Sequence, residues 1–187
     1  MLRILMFVLL ITFSTSASAA DAEQRAVLVT GASSGIGLKI TEKLAASGFY
    51  VYATARKPDD LARLDAMENV SSVRLDVTVQ EEIDAAVKFV EAQGRGLYGV
   101  INNAGVSAFS PLTSGPDSDM DFVFDVNVYG PYRVNKAFLP MLEASGGRTA
   151  TIGSISGFTG RSGIYSMSKF AVEAYTDSLA RELEDSK

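Results

Sequence analysis

The feature that most constrains this chain is a glycine-rich turn that joins a predicted strand to a predicted helix. Residues 26–30, AVLVT, form a short apolar run rich in β-branched side chains. They pass directly into GASSGIG at residues 31–37, after which Ile36, Ile40 and Leu44 recur at helical spacing. Branched residues favour strands, and apolar residues four apart favour an amphipathic helix. The segment therefore predicts a strand, a tight turn and a helix.

Three glycines determine what this turn can bind. Gly31 permits a tight turn, Gly35 lets the backbone approach a ligand closely, and Gly37 allows the helix to pack closely. The first amides of a helix lack partners within the helix and attract anions, so the turn suits a pyrophosphate. Ordinary tight turns also use glycine. The turn by itself therefore indicates a nucleotide site without specifying the ligand.

Strand and helix patterns alternate through the rest of the chain. Predicted strands lie at 49–55, 71–77, 97–105 and 148–156, and predicted helices at 61–69, 81–93, 117–143 and from about 162 onward. Thr78 and Glu81 form a capping-box pattern, and we expect a bend in the long helix near Gly130-Pro131. Repeated strand–helix units predict an α/β fold, a doubly wound parallel sheet of about five strands that binds ligands at their carboxyl ends.

Composition restricts the chemistry. The chain contains no histidine and no cysteine, which excludes Ser-His-Asp and Cys-His catalytic sets, zinc sites built on these residues and a disulfide framework. Its net charge is −5, whereas a nucleic-acid surface needs clustered basic residues. We therefore expect one domain that acts on a small molecule, with no metal and no nucleic acid as partner. Proton chemistry must use Tyr, Lys, Ser or carboxylates.

Residues 1–20 have the layout of a secretory signal peptide. Arg3 precedes an apolar run at residues 4–13, and small polar residues follow it. The run is short for a bilayer span, and Ala17-Ser18-Ala19 matches a cleavage pattern. A cleaved signal predicts a periplasmic or secreted protein, and a retained segment would be an N-terminal anchor. If the start codon is misassigned, the chain begins just before Arg25 and the protein is cytoplasmic.

Tyr165 and Lys169 lie four residues apart in the last predicted helix. Side chains at this spacing share one face of a helix. A free phenol ionises at a pKa of about 10, so it needs a neighbouring cation to act as an acid or base at neutral pH. Lys169 is placed to be that cation, although such pairs also occur by chance on many helices.

Five motifs, taken in order, resemble those of the short-chain dehydrogenase/reductase family. They are TGASSGIG at 30–37, NNAG at 102–105, Asn127 within DVNVYG, Ser154 within IGSISG, and YSMSK at 165–169. The resemblance extends from about Arg25 to the C-terminus. It implies a Rossmann-type fold and an enzyme that uses a nicotinamide dinucleotide to interconvert an alcohol and a carbonyl compound.

The resemblance also implies catalytic roles. Tyr165 would exchange a proton with the substrate oxygen while hydride moves to or from the nicotinamide. Lys169 would stabilise the phenolate and hold the ribose hydroxyls, and Ser154 would hydrogen-bond the substrate oxygen. Asn127 would hold a water that relays protons from Lys169. Alternatively, Ser154 is a hydroxyl at a strand end, and Asn127 satisfies backbone groups at a helix bend.

The end of the second predicted strand informs the choice of cofactor. An acidic side chain there would bind the ribose 2′-hydroxyl of NAD, whereas cations favour the 2′-phosphate of NADP. This chain has Ala55 followed by Arg56 and Lys57. We therefore predict NADP(H) over NAD(H), unless the two cations belong to a solvated loop.

Further cofactor contacts follow from the resemblance. Asp76 corresponds to the family residue near the adenine. Asn102, Ala104 and Gly105 would line or support the cofactor groove, although NNAG also suits a structural turn. The predicted cofactor-binding residues are Thr30, Gly31, Ser33, Ser34, Gly35, Ile36, Gly37, Arg56, Lys57, Asp76, Val77, Asn103, Ala104, Gly105, Tyr165 and Lys169.

Two departures from the family pattern affect the catalytic half. Ten residues separate Ser154 from Tyr165, and a slightly longer interval is common in the family, so we expect a short loop or a displaced serine. The sequence ends at Lys187, where family members continue for roughly two more strand–helix units. We therefore interpret the chain as a C-terminally truncated member in which the strand at 148–156 becomes an exposed edge.

Two functions are consistent with the sequence. The first is an NADP-dependent oxidoreductase with Tyr165 and Lys169 at its centre, whose substrate is a small alcohol or carbonyl compound. The second is a nucleotide-binding remnant or interaction module without turnover. The resemblance also implies a homodimer through the two long helices that start near Asp117 and Ser162.

Overall fold

The computed structural model describes residues 24–184, and the predicted signal segment at residues 1–20 lies outside them. The strands are β1 (Ala26–Val29), β2 (Tyr50–Ala55), β3 (Val70–Arg74), β4 (Gly99–Asn102) and β5 (Arg148–Thr151). The α-helices are α1 (Gly35–Ala46), α2 (Pro58–Asp65), α3 (Gln80–Ala92), α4 (Asp117–Phe124), α5 (Gly130–Ala144) and α6 (Gly163–Glu184). Within this range, no helix combines the length and the apolar character that crossing a bilayer requires.

The five strands form one parallel sheet in the order β3-β2-β1-β4-β5. Val27 of β1 pairs with Val51 of β2 on one side and with Gly99 of β4 on the other. The chain builds outward from β1 to β3 and then returns to the other side of β1. The strand order therefore reverses between β1 and β4, the position at which open parallel sheets bind ligands.

Helices cover both faces of the sheet because successive strand residues point in opposite directions. Ala26 and Leu28 belong to the apolar cluster that includes residues of α3 and α5. Val27 and Val29 belong to the cluster on the other face, with residues of α1 and α2. All four residues of β1 are buried. The predicted doubly wound parallel sheet is confirmed.

Helix α2 corrects one predicted boundary. The sequence pattern predicts a helix over 61–69, whereas α2 starts at Pro58 and ends at Asp65. Proline fits the first turn of a helix because its fixed φ is helical and its missing N–H is not needed there. Asp59 and Asp60 also lie in this first turn, where the helix dipole favours carboxylates. The proline therefore starts the helix three residues earlier than the apolar pattern indicates.

The predicted capping box at Thr78 and Glu81 is wrong. The N-cap residue of α3 is Val79, and no side chain caps it. Thr78 instead donates its amide and its hydroxyl to Asp76 Oδ1, at 3.0 and 2.8 Å. A carboxylate two residues upstream thus competes successfully for the groups that a capping box would use.

The predicted long helix contains a π-helical segment, Asp125–Tyr129, between α4 and α5. The Gly130 amide donates to the Asp125 carbonyl, and Pro131 has no N–H to donate to the carbonyl of Asn127. The irregularity expected near Gly130-Pro131 therefore takes the form of a wider helical turn. Asn127 lies in this turn and is buried.

Strand β5 lies at the edge of the described sheet, where it pairs with β4. Arg148 and Ala150 are exposed, and Thr149 and Thr151 are partly buried. This burial differs from that of β1, all of whose residues are buried. Within residues 24–184, the expectation of an edge strand at this position is confirmed.

Candidate active site

The glycine turn connects the carboxyl end of β1 to the start of α1. Gly31 and Gly35 have φ angles of +64° and +56°, which lie in the region that favours glycine. A Cβ at Gly37 would overlap the Gly31 carbonyl oxygen and the side-chain amide of Asn103. The tight turn and the close helix packing predicted from the sequence are therefore both present.

Hydrogen bonds of Thr30 and Asn103 join this turn to the end of β4. Thr30 Oγ1 accepts hydrogen bonds from the amides of Asn103 and Ala104, each at 3.0 Å. Asn103 Nδ2 donates to the carbonyls of Thr30 and Gly31, at 2.9 and 3.1 Å. Thr30 is 1% exposed, so it supports the turn from behind. These four bonds join the two strands between which the strand order reverses.

A cleft of about 500 Å³ opens in front of the turn. Most of the predicted cofactor residues line it, namely Gly31, Ser33, Ser34, Gly35, Ile36, Arg56, Asp76, Val77, Asn103, Ala104 and Gly105. Thr30 and Gly37 lie behind the turn and are buried, and Lys57 is exposed outside the cleft lining. Asn102 is buried and donates to Asn135 Oδ1 at 2.8 Å, so it supports the groove without lining it.

Arg56 and Asp76 form an ion pair at the rim of this cleft, with 3.2 Å between Arg56 Nη1 and Asp76 Oδ2. Burial opposes ionisation of Asp76, but hydrogen bonds from Thr78 and from Arg56 outweigh it and hold the pKa of Asp76 below its usual value. At neutral pH the carboxyl is therefore charged. Arg56, the cation predicted to select NADP, is therefore already paired with a carboxylate.

A second cavity, of about 540 Å³, adjoins the cleft. Both are lined by Ile36, Asn103, Gly105 and Val106, so the two cavities adjoin along these residues. The second cavity is also lined by Ser154, Ser162, Tyr165 and Lys169. The structure therefore brings together three of the four predicted catalytic residues.

Two short 3₁₀ turns, Ile155–Gly157 and Gly160–Ser162, occupy the interval between Ser154 and α6. Ser154 Oγ accepts a hydrogen bond from the Ser156 amide at 3.1 Å. Its hydroxyl hydrogen therefore remains available to a ligand in the cavity. The short interval leaves the serine in the same cavity as Tyr165.

Lys169 is a buried cation beside Tyr165 on α6. It is 7% exposed, and its Nζ donates to the Ile152 carbonyl at 2.6 Å. Burial lowers the pKa of Lys169, and the negative charge of Glu173 opposes this shift. Nζ lies 5.8 Å from the centre of the Tyr165 ring. The predicted pairing on one helix face is therefore present.

Asn127 connects the π-helical segment to two neighbouring elements. Its Oδ1 accepts from the Val106 amide and its Nδ2 donates to the Val106 carbonyl, both at 2.8 Å. Nδ2 also donates to Ser168 Oγ on α6 at 3.0 Å. These bonds match the backbone-satisfying alternative for Asn127, and they hold the loop after β4 against α6. The predicted water relay stays a prediction.

Comparison with known proteins identifies the family. The sequence profile of the short chain dehydrogenase family matches residues 25–187. The chain belongs to this family. The resemblance inferred from the five motifs is thereby confirmed.

This short-chain dehydrogenase is 38% identical over 167 residues to the uncharacterized oxidoreductase YbbO of Escherichia coli K12, an alignment that covers 87% of this chain and 62% of the relative. A Pseudomonas aeruginosa RhlG/NADP active-site complex is 29% identical, with a TM-score of 0.80 and coverage of 86% and 68%. A Burkholderia phymatum short chain dehydrogenase/reductase in complex with NAD is 30% identical, with a TM-score of 0.82 and coverage of 88% and 62%. The chain thus spans about three fifths of the length of its curated relative, and its Rossmann-type fold is confirmed.

Sequence reasoning missed three residues around the site of this short-chain dehydrogenase. Ser162 lines the cavity that contains Tyr165 and Lys169, Ser168 accepts from Asn127, and Arg63 contacts the glycine turn through the Ser33 carbonyl. The first two lie within or beside the YSMSK segment, but serines are too common to stand out. No signal near Arg63 could have revealed a contact that spans 30 residues. Among the described residues, no group of three or more His, Cys, Asp or Glu side chains could hold a metal ion.

Proposed function

We propose that this chain carries the dinucleotide-binding and acid–base parts of an NADP(H)-dependent oxidoreductase that interconverts an alcohol and a carbonyl compound. The proposal rests on the adjacency of the two cavities, which share four lining residues. The glycine turn lines one of them, and Ser154, Tyr165 and Lys169 line the other. The open space at Gly35, where a Cβ would meet no atom within 4 Å, leaves room for a phosphate beside the start of α1.

The bound cofactor would supply or accept the hydride, and the residues of the cavity would handle the proton. Tyr165 would pass a proton to a developing alkoxide, or remove one from an alcohol. The Lys169 charge would stabilise the phenolate form of Tyr165. Ser154 would donate its free hydroxyl hydrogen to the substrate oxygen, where negative charge develops.

A preference for NADP(H) is part of the proposal. Two cations, Arg56 and Lys57, follow β2, and no carboxylate stands at the strand end. The 2′-phosphate would compete with Asp76 for Arg56, and its greater negative charge favours it in that competition. Solved relatives include complexes with NADP or NADPH as well as a complex with NAD, so both cofactors occur among them. The support for NADP(H) therefore comes from this chain's own charges.

The proposal is tested by following NADPH absorbance with the full chain and a panel of neutral aldehydes and ketones. Turnover that Tyr165→Phe lowers by roughly 10²–10⁴-fold would support it, because the phenol contributes a proton that phenylalanine lacks. Tyr129→Phe is the matched control, since Tyr129 is exposed outside the lining of both site cavities. Turnover that survives Tyr165→Phe would contradict the assigned role.

A nucleotide-binding module without turnover is the second candidate. The observation that favours it is the exposure of the segment after Ser154, where Ile155 and Phe158 are 75% and 73% exposed. A substrate site needs an enclosing wall to exclude water, and these side chains stand open to solvent. Saturable NADPH binding without turnover across the panel would select this function.

We also propose a homodimer through the long helices. Phe122 of α4, Tyr132 of α5 and Phe170 of α6 are 50%, 46% and 47% exposed. Exposed apolar surface on helices is a common feature of subunit interfaces. Sedimentation equilibrium tests this, and we expect a dimer that Phe170→Glu dissociates, whereas a monomeric wild-type chain would contradict the proposal.

A further inference from the structure

Arg63 links helix α2 to the glycine turn. Its Nη2 donates to the Ser33 carbonyl at 2.6 Å and to Asp60 Oδ1 at 2.8 Å. Asp60 lies one helical turn earlier on the same face of α2. The carboxylate therefore orients the guanidinium, and the guanidinium holds a backbone group of the turn.

Besides the hydrogen bonds of Thr30 and Asn103, the turn is held at two further places. Thr54 of β2 accepts hydrogen bonds from its first residues, with 3.3 Å from the Gly31 amide to Thr54 Oγ1 and 2.8 Å from the Ala32 amide to the Thr54 carbonyl. Arg63 holds the next residue, Ser33. Ser33 lines the dinucleotide cleft together with Ser34 and Gly35. Arg63 itself is outside the cleft lining.

The half of the turn that Arg63 contacts is the more exposed half. Ala32 is buried, Ser33 is partly buried, and Ser34 and Gly35 are exposed. Ser34 is the N-cap residue of α1, and its side chain makes no capping hydrogen bond. A mobile turn must become ordered when it binds phosphate, and this ordering weakens binding. A charged donor on the Ser33 carbonyl reduces that cost because charge-assisted hydrogen bonds are the stronger ones.

We infer that Arg63 is a positioning residue for the cofactor, which holds the Ser33–Gly35 part of the glycine turn in the conformation that receives the pyrophosphate. The inference rests on the proposed dinucleotide-binding function. It assigns different tasks to two arginines. Arg56 lines the cleft and discriminates between the two cofactors, whereas Arg63 acts through the backbone on the part that both cofactors share.

The test compares dissociation constants for NADPH and NADH, measured by fluorescence titration of the full chain. Arg63→Gln is expected to weaken the binding of both cofactors by a similar factor, about three- to tenfold, through loss of preorganisation. Arg56→Gln is expected to weaken NADPH alone. Arg63→Lys should recover part of the loss, because lysine keeps a charged donor but not the planar fork. Lys43→Gln, which removes the same charge from the last turn of α1, should leave both constants unchanged.

The binding constants can contradict the role of Arg63 in three ways. Unchanged constants in Arg63→Gln, with normal wild-type binding, would overturn it and leave the proposed function standing. A loss confined to NADPH would also overturn it, since Arg63 would then bind the 2′-phosphate directly. If the wild-type chain binds neither cofactor, both proposals fail. Melting of the apo chain checks folding, and if Arg63→Gln is unfolded, Asp60→Asn should weaken both cofactors about two- to threefold by releasing the guanidinium.

Discussion

The centre of the sheet and its β5 edge differ in how completely the described chain surrounds them. At β1, all four residues are buried, and the turn that follows is joined to the end of β4 by four hydrogen bonds, two accepted by Thr30 Oγ1 and two donated by Asn103 Nδ2. At β5, the strand has β4 as its neighbour, and two of its four residues are exposed. The cofactor side is therefore enclosed by the chain's own contacts, whereas the side that carries Ser154 is open.

This difference indicates which of the two functions, dinucleotide binding or turnover, depends on the better packed part of the fold. The glycine turn lies between two central strands, so packing on both sides fixes its shape. Ser154 follows an edge strand, and the apolar residues after it, Ile155 and Phe158, are exposed. Dinucleotide binding should consequently be the more robust property of this chain, and turnover the more fragile one.

Gly37→Ala should disrupt the packing of the glycine turn, and we expect it to have the largest effect on stability. The added Cβ would overlap the Gly31 carbonyl oxygen, a backbone atom that cannot rotate away. We expect a loss of about 3 kcal/mol in the free energy of unfolding, as for severe overpacking, together with loss of NADPH binding. Urea denaturation and fluorescence titration measure both quantities.

Gly35→Ala provides the matched control. A Cβ at Gly35 meets no atom within 4 Å, so the change adds only the strain of φ +56°. The expected cost is about 1 kcal/mol. Equal losses in the two variants would show that packing at Gly37 is not what distinguishes this region.

Thr30→Val tests the link between the turn and β4. The change removes the acceptor of the Asn103 and Ala104 amides in a site that is 1% exposed. Leaving these donors unpaired should lower the free energy of unfolding by about 2–3 kcal/mol. Thr30→Ser keeps the acceptor and should lose less than about 1 kcal/mol. Urea denaturation distinguishes the two, and a Thr30→Val chain as stable as the serine variant would argue against the link.

Asp76→Asn tests how much the charge of Asp76, at the rim of the cleft, contributes to stability. The pKa of Asp76 is lower in the folded chain than its usual value, so its charge stabilises the fold at neutral pH, and this contribution disappears as the pH falls through the folded pKa. We expect the wild type to be more stable than the variant at pH 7 by less than about 1 kcal/mol, since the pair is partly solvated. The difference should disappear as the pH falls through the folded pKa of Asp76, which lies below the usual value of this carboxyl. Urea titrations across this range measure it, and a difference that persisted in acid would exclude the charge as its cause.

Ile155→Ser combined with Phe158→Ser should have the smallest effect on stability. Both side chains are more than two thirds exposed, so their removal should change the free energy of unfolding by no more than about 0.5 kcal/mol. Dye binding by exposed apolar surface should fall markedly. A large loss of stability would mean that the region after Ser154 is packed, and the contrast between the two sides would then be wrong.

Much of the fold follows from local sequence patterns. The alternation of apolar strands and amphipathic helices predicts the order of elements, and the glycines at 31, 35 and 37 predict the shape of the turn. The spacing of Tyr165 and Lys169 places both on α6 and in one cavity. Such predictions succeed because periodicity and backbone freedom act over a few neighbouring residues.

Tertiary contacts decided the features that local patterns missed. The Asp76 carboxylate accepts hydrogen bonds from the amide and the hydroxyl of Thr78, the residue predicted to cap the helix. The side-chain amide of Asn127 is hydrogen-bonded to the backbone of Val106, 21 residues away. The strand order brought the end of β2 beside the glycine turn, where Thr54 binds it.

The amino-acid sequence by itself determined the parallel α/β architecture, the nucleotide turn and the identities of the proton-transfer candidates, because each depends on residue type and short spacing. Only the tertiary structure decided that Arg56 is paired with Asp76, that Arg63 reaches Ser33, and that the cleft beside the glycine turn adjoins the cavity lined by Tyr165 and Lys169. These features depend on which distant strands lie side by side. That arrangement follows from burying both faces of the whole sheet at once.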